Sequence, residues 1–254
     1  MIDIHCHILP GVDDGAKHME ESVQMARLAY DQGIHTLIAT PHHRTHRYDN
    51  EQASVCQAVE KLTARLEAEK LPLTIYPSQE IRLHKEMVST FNRQELLTLA
   101  GSRYVLIELP FDDVPAYTEH LLYNLQSQGL VPVIAHPERY PYFAKDLSLL
   151  YDYIEGGALA QVTAGSLTGA FGKKTKKVAE KMVTHHLVQL IATDAHNLSG
   201  RTFDLLEGYR ALEKVAGKET VRAFKHHTEQ LLRDEPIRYV YPKKEKPKRL
   251  FGLI

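Results

Sequence analysis

Two histidines one residue apart, His5 and His7, open the chain, and an Asp-x-His pair, Asp194 and His196, stands in its last third. Alternate residues of an extended strand leave the same face, so His5 and His7 can grip one metal ion while Cys6 points away as a packing residue. Between the two pairs lie His42, Glu80, Glu108 and His136, each at or just past the end of a β-rich run. Asp14, in Val12-Asp-Asp-Gly15, completes a set of five histidines and four carboxylates, although Asp and Gly there equally describe a turn. The set has no thiolate, and its N/O character suits Mn, Fe, Zn or Mg better than a structural zinc cage. Nine donors exceed the needs of one ion, so two or three ions with bridging carboxylates are expected. Such a centre brings the pKa of water toward neutrality and clamps phosphoryl oxygens during in-line displacement, which makes phosphoester hydrolysis the expected chemistry. Arg139, in His136-Pro-Glu-Arg, can add a bidentate contact to phosphate, and a surface salt bridge beside Glu138 is the plainer alternative.

Each donor alone has an ordinary explanation: Glu108 as an exposed strand terminus, His136 as a hydrogen-bonded histidine, Asp194 as a helix N-cap. Their common position at strand ends carries the inference, because loops at the C-terminal ends of barrel strands converge on one mouth. Seven β-rich runs are expected, at 2–8, 36–40, 73–78, 104–109, 131–135, 159–163 and 187–193. Several are nearly continuous apolar segments, as suits strands buried on both faces. Helical stripes fall between them. Met19, Val23, Ala26 and Tyr30 precede Gly33, a C-terminal cap; Val55, Val59, Leu62 and Leu66 follow Asp49 or Asn50 as N-cap. Leu121, Leu122 and Leu125 precede Gly129, and Leu150, Tyr153 and Ile154 precede Gly156. The alternation predicts a ring of about seven βα units, with a doubly wound open sheet as the other arrangement giving this local pattern.

The 254 residues carry a formal net charge of −1, with 43 % hydrophobic and 25 % charged residues, so neither disorder nor a nucleic-acid field is indicated. Cys6 and Cys56 form no CxxC pair, and the positions six beyond them, Val12 and Leu62, lack the arginine of a cysteine-nucleophile phosphatase loop. Reduced thiols, no signal peptide and no long apolar run predict a cytoplasmic protein without a transmembrane segment. Gly169 to Lys174 only brushes against a phosphate-binding loop pattern and reads as a flexible loop after the sixth strand, near the mouth. We divide the chain into a barrel over 1–242 and a basic tail over 243–254, which includes Lys243, Lys244, Lys246, Lys248 and Arg249. That tail reads as a solvated terminus, with an anionic partner or membrane surface as the sharper reading.

Together Asp3-Ile-His-Cys-His, Val12-Asp-Asp-Gly, Thr40-Pro-His-His, Glu80, Ile107-Glu108, Val133-Ile-Ala-His-Pro-Glu-Arg139 and Ala192-Thr-Asp-Ala-His-Asn197 resemble the PHP superfamily. The resemblance is narrower still to manganese-dependent bacterial protein-tyrosine phosphatases of capsule and exopolysaccharide operons, and it runs from Ile2 to Asn197. It implies a single-domain α/β fold, a distorted TIM-like (β/α)7 barrel, holding three Mn2+ ions. The implied ligands are His5, His7, Asp14, His42, Glu80, Glu108, His136, Asp194 and His196. Arg139 would contact phosphate, and catalytic roles fall to Arg139, Glu108 and Asp194. The implied substrate is phosphotyrosine on a protein, usually a bacterial tyrosine kinase governing polysaccharide synthesis. A small-molecule phosphatase of the histidinol-phosphatase type is the competing enzyme reading, since a metal site alone does not choose between these esters. A metal-stabilised scaffold without turnover and a nuclease are weaker competitors.

Overall fold

The computed structural model describes residues 1–244, so Lys246, Lys248 and Arg249 of the basic tail lie outside the described residues. The strands are β1 (Ile2–Cys6), β2 (Thr36–Ala39), β3 (His42–His43), β4 (Thr74–Pro77), β5 (Glu80–Arg82), β6 (Tyr104–Glu108), β7 (Val131–Ala135), β8 (Leu159–Thr163) and β9 (Leu190–Ala192). The helices are α1 (Met19–Asp31), α2 (Gln52–Ala68), α3 (Met87–Asn92), α4 (Thr118–Ser127), α5 (Pro141–Lys145), α6 (Ser148–Glu155), α7 (Ala164–Thr168), α8 (Gly172–Thr184) and α9 (Leu205–Leu232). All strand pairings are parallel, in the orders β1-β2-β4 and β3-β5-β6-β7-β8-β9. The chain is a single mixed α/β unit, as the alternation of runs and stripes predicts.

The seven expected runs are each occupied by a strand, and two are followed by a further short strand. β2 and β4 lie within the second and third of them, while β3, past Pro41, and β5, past Pro77, are short further strands beyond their expected ends; proline has no N–H to give a ladder. The parallel strands form two sheets, parted between β2 and β3 and between β4 and β5. Isolated bonds cross the seams: Ser78 N donates to Ala39 O at 2.9 Å and Glu80 N to Pro41 O at 3.1 Å. On the other side, β1 meets the segment after β9 through a Cys6–Ala195 bridge, with Asp194 N donating to His5 O and His7 N to Ala195 O. The strand order thus runs round toward closure without a closed ladder among the described residues.

Two apolar clusters follow from the period-two alternation. Val105, Ile107, Ile134, Val162 and Ile191 pack outward against helix residues such as Leu62, Leu125, Leu150 and Met182. Leu106, Val133, Leu159 and Leu190, the alternate residues, join Ile4 and Ile38 in a smaller inner cluster. Glu108 lies two residues beyond Leu106, Gln161 two beyond Leu159 and Asp194 two beyond Ala192, so the inner face becomes polar where the strands end. The stripes of α2, α4 and α6 are buried as expected, while in α1 Val23 and Ala26 are buried and Met19 and Tyr30 only partly so. The N-cap of α2 is corrected: Glu51 occupies it, because Asp49 sits against His43 and Asn50 donates to Val12 O and His42 O. The loop expected at 169–174 is also corrected, since α8 begins at Gly172.

Asp204, at the start of α9, supplies a test of the fold away from the site. Burial pushes its carboxyl up to about 6, against a hydrogen bond from Thr168. A raised folded-state pKa favours the protonated form, so this contribution to stability is present at low pH and lost as pH rises through about 6. Asp204→Asn should therefore be more stable than the parent by about 1 kcal/mol above pH 7, a gap that closes below about pH 4, in thermal melts across pH.

Candidate metal centre

Three overlapping groups of donor atoms lie at the strand ends: His7, Asp14, His42 and His196; His5, His7 and Glu80; His42, Glu80 and Glu108. Within each group the atoms lie within 4.8 Å of one another. The two remaining sequence candidates join the same cluster. Asp194 Oδ1 lies 3.2 Å from His5 Nε2 and 3.3 Å from His7 Nε2, and His136 Nε2 lies 2.8 Å from Glu80 Oε1. All nine are thus brought together, from β1, the loop after it, β3, β5, β6 and the turns after β7 and β9.

Local backbone explains how turn residues reach the centre. His136 has φ +35° and Asp194 φ +54°, left-handed conformations that non-glycine residues adopt at a cost of about 1–3 kcal/mol, and each re-aims a side chain just past its strand. Gly15 lets the loop bearing Asp14 press on β1: a Cβ there would lie 2.0 Å from His7 O. Asn50 ties that loop to His42 by donating to Val12 O at 3.0 Å and His42 O at 2.8 Å.

Sequence reasoning missed several supporting groups. Asp13 Oδ2 accepts from His7 Nδ1 at 2.6 Å and from His42 N at 3.0 Å; its neighbour Asp14 was the only one of the pair singled out. Gln161 Oε1 lies 2.8 Å from His5 Nδ1, a contact between residues 156 apart in sequence. Arg82 reaches Glu108 Oε2 at 3.1 Å; its place two residues after Glu80 was the available signal. Arg201 donates to Asp194 Oδ2 at 2.7 Å, from a loop with no motif. Arg139 also donates to Asp194 Oδ2. Glu138 turns away, buried, accepting from Thr163 N and Ser166 Oγ, so the plainer Arg139–Glu138 surface pair is not the arrangement.

The electrostatics describe a site built for positive charge. Burial, then the Glu80 carboxylate, push Glu108 up to about 7. Burial opposes protonation of His42, but Glu80 raises it to about 10. Burial lowers His136 to about 4, helped by the Arg139 guanidinium, and burial with His7 lowers His196 to about 4. Buried carboxylates this close to one another are costly unless cations compensate them. His136 Nδ1, Asp194 Oδ1, Glu80 Oε2, Glu108 Oε2 and His196 Nε2 are buried without a well-formed hydrogen bond. Orphaned lone-pair donors of mixed N/O type, gathered within ligand reach, fit divalent ions.

A model of the family described as capsular polysaccharide synthesis, CpsB/CapC, matches residues 1–233. Tyrosine-protein phosphatase YwqE of Bacillus subtilis is 46 % identical over 254 residues, covering 100 % of both chains. Putative tyrosine-protein phosphatase CapC of Staphylococcus aureus is 37 % identical over 255 residues, again with 100 % of both chains covered. Among solved structures, a chain from the crystal structures of B. subtilis YwqE and Streptococcus pneumoniae CpsB, described as metal-dependent tyrosine phosphatases, superposes with a TM-score of 0.95 at 46 % identity. That match covers 97 % of this chain and 100 % of the other. A histidinol phosphate phosphatase from Lactococcus lactis gives a TM-score of 0.54 at 14 % identity over 85 % of this chain and 94 % of the other, a likeness of fold. With donors, strand order and full-length relatives in agreement, this chain belongs to the CpsB/CapC capsular polysaccharide synthesis family.

Proposed function

We propose that this protein is a metal-dependent tyrosine-protein phosphatase that hydrolyses phosphotyrosine on proteins, with a bacterial tyrosine kinase of capsule or exopolysaccharide synthesis as its substrate. The observation that carries the proposal is the convergence of nine N/O donors on one mouth, in a chain 46 % identical over its full length to a tyrosine-protein phosphatase. The assigned ligands are His5, His7, Asp14, His42, Glu80, Glu108, His136, Asp194 and His196. Three overlapping donor groups support three ions, and the absence of thiolate supports Mn2+. Bound divalent ions would supply Lewis-acid charge and lower the pKa of water held there. Around them, Arg139 would bind phosphate oxygens, while Asp13 and Gln161 hold His7 and His5 in place. The catalytic unit is assigned to residues 1–242.

Cys6, beside the donors in sequence, is no candidate nucleophile: it is fully buried, its thiol pushed up by burial and by nearby Asp3. No helix among the described residues is long and apolar enough to cross a membrane, and we assign the protein to the cytoplasm. The histidinol-phosphatase alternative has only a shared fold behind it. The test is to strip the purified protein with a chelator and restore ions one at a time, following phosphotyrosine-peptide hydrolysis and metal content. Activity should vanish and return with Mn2+; activity that survives complete stripping would overturn the proposal.

Asp13 supports a further expectation. By accepting from His7 Nδ1 it leaves Nε2 of the neutral ring directed at the donor cluster. Asp13→Asn should weaken Mn2+ binding to the stripped protein by about 10–100-fold in titration calorimetry. Unchanged affinity would reduce Asp13 to a loop tether.

A further inference from the structure

Arg139 sits beside two half-buried phenylalanines from neighbouring strand ends, Phe111 after β6 and Phe171 at the start of α8. Its guanidinium carbon lies 6.0 Å from the Phe111 ring centre and 5.3 Å from that of Phe171. Both rings are backed by rigid structure. Phe111 stacks on the His136 imidazole at 6.1 Å and 19°, and meets Tyr140 at 4.9 Å. Tyr140 is itself fully buried and accepts a hydrogen bond from Leu109 N at 2.9 Å. Phe171 rests on Gly165, where a Cβ would come within 2.9 Å of the ring, so the absent side chain on α7 makes the seat for it.

We infer that Phe111 and Phe171 form aromatic walls that receive the substrate's phenyl ring beside Arg139, so that the site selects aryl over alkyl phosphate esters. This rests on the phosphatase reading with Arg139 as the phosphate contact. In phosphotyrosine the ring is joined to phosphorus through one ester oxygen, so a phosphate held by Arg139 places that ring at the level of the guanidinium's own aromatic neighbours. Phosphoserine presents only a methylene and backbone there, and gains nothing from the walls. The guanidinium itself is held by Asp194, to which Nη1 donates. Neither phenylalanine lies in a sequence motif with the donors. Only the turns after three successive strand segments bring Phe111, Arg139 and Phe171 to one rim.

The experiment uses the metal-loaded protein and its Phe111→Ala, Phe171→Ala, Phe111→Leu and Phe171→Leu variants. The leucine variants keep apolar bulk should truncation impair folding. Two quantities are read: kcat/KM on a phosphotyrosine peptide, and competitive inhibition by inorganic phosphate. Each alanine variant should lose about tenfold in kcat/KM, mainly through KM, while phosphate inhibition stays within about twofold of the parent, and leucine should restore only part of the loss. Unchanged kcat/KM would overturn the inference. So would a parallel weakening of phosphate inhibition, which would mean that the rings merely hold Arg139. A parent protein that hydrolyses other phosphate esters but not the phosphotyrosine peptide would instead overturn the phosphatase reading itself, and the walls with it.

Discussion

Replacing Glu80 by glutamine is expected to remove metal-dependent turnover almost entirely, with kcat/KM on a phosphotyrosine peptide falling at least about a thousandfold. Glu80 is fully buried, with Oε1 2.8 Å from His136 Nε2 and Oε2 2.8 Å from His42 Nδ1 and 3.5 Å from His7 Nε2. It is the one carboxylate shared by two of the donor groups found among the described residues, so its loss disturbs more than one ion position. Despite the burial, His5 and His42 hold its carboxyl well below the usual carboxylate range. Glutamine keeps the shape and removes the charge, which isolates the electrostatic contribution from packing. A readout independent of turnover is thermal stabilisation. At a hundred times its Kd, an added ion contributes about 2.7 kcal/mol, worth roughly 5–10 °C for a domain of this size. The parent should show that rise with Mn2+ and Glu80→Gln should not. If the variant took up the same metal with the same stabilisation, Glu80 would have to be withdrawn from the ligand set.

The fold and the donors were legible in sequence to different depths, for physical reasons. Strands such as Val131–Ala135 and Leu159–Thr163 are buried on both faces, so mostly apolar runs mark them. The breaks at Pro41 and after Pro77 were visible as prolines, but whether such a break divides a sheet depends on what pairs on either side. Most of the donors were legible because they lie in a strand or within two residues of its end and chemistry restricts the residue types. Asp14 was ambiguous because a turn and a ligand call for the same residue; Gly15 shows that the turn reading and the approach to β1 coexist. The supporting groups were less legible. Gln161 meets His5 across 156 residues, and Arg201 reaches Asp194 from an irregular loop, so neither leaves a periodic trace. Phe111 and Phe171 read as ordinary apolar residues until the turns bring both beside Arg139.

Arg139→Ala should separate phosphate recognition from assembly of the centre. Arg139 and Arg201 both donate to Asp194 Oδ2, so removing Arg139 leaves the Asp194 carboxylate with a cationic partner 2.7 Å away. Stripping the sole partner from a buried charge costs about 3–5 kcal/mol, but a retained partner should limit the loss here to about 1–2 kcal/mol. Metal content should therefore be unchanged, and the Mn2+-induced rise in Tm preserved. Turnover should behave differently: loss of a preorganised cation facing the phosphoryl group should lower kcat/KM by about 10²–10³-fold. Arg139→Lys should recover only part of this, because an ammonium carries the charge without the planar fork that grips two phosphate oxygens. The two variants distinguish charge from geometry, and elemental analysis beside steady-state kinetics distinguishes both from loss of the ions. Should Arg139→Ala keep turnover within about threefold of the parent, the guanidinium would be left with one role, neutralising Asp194, and the phosphate contact would have to be sought among Arg82 and Arg201.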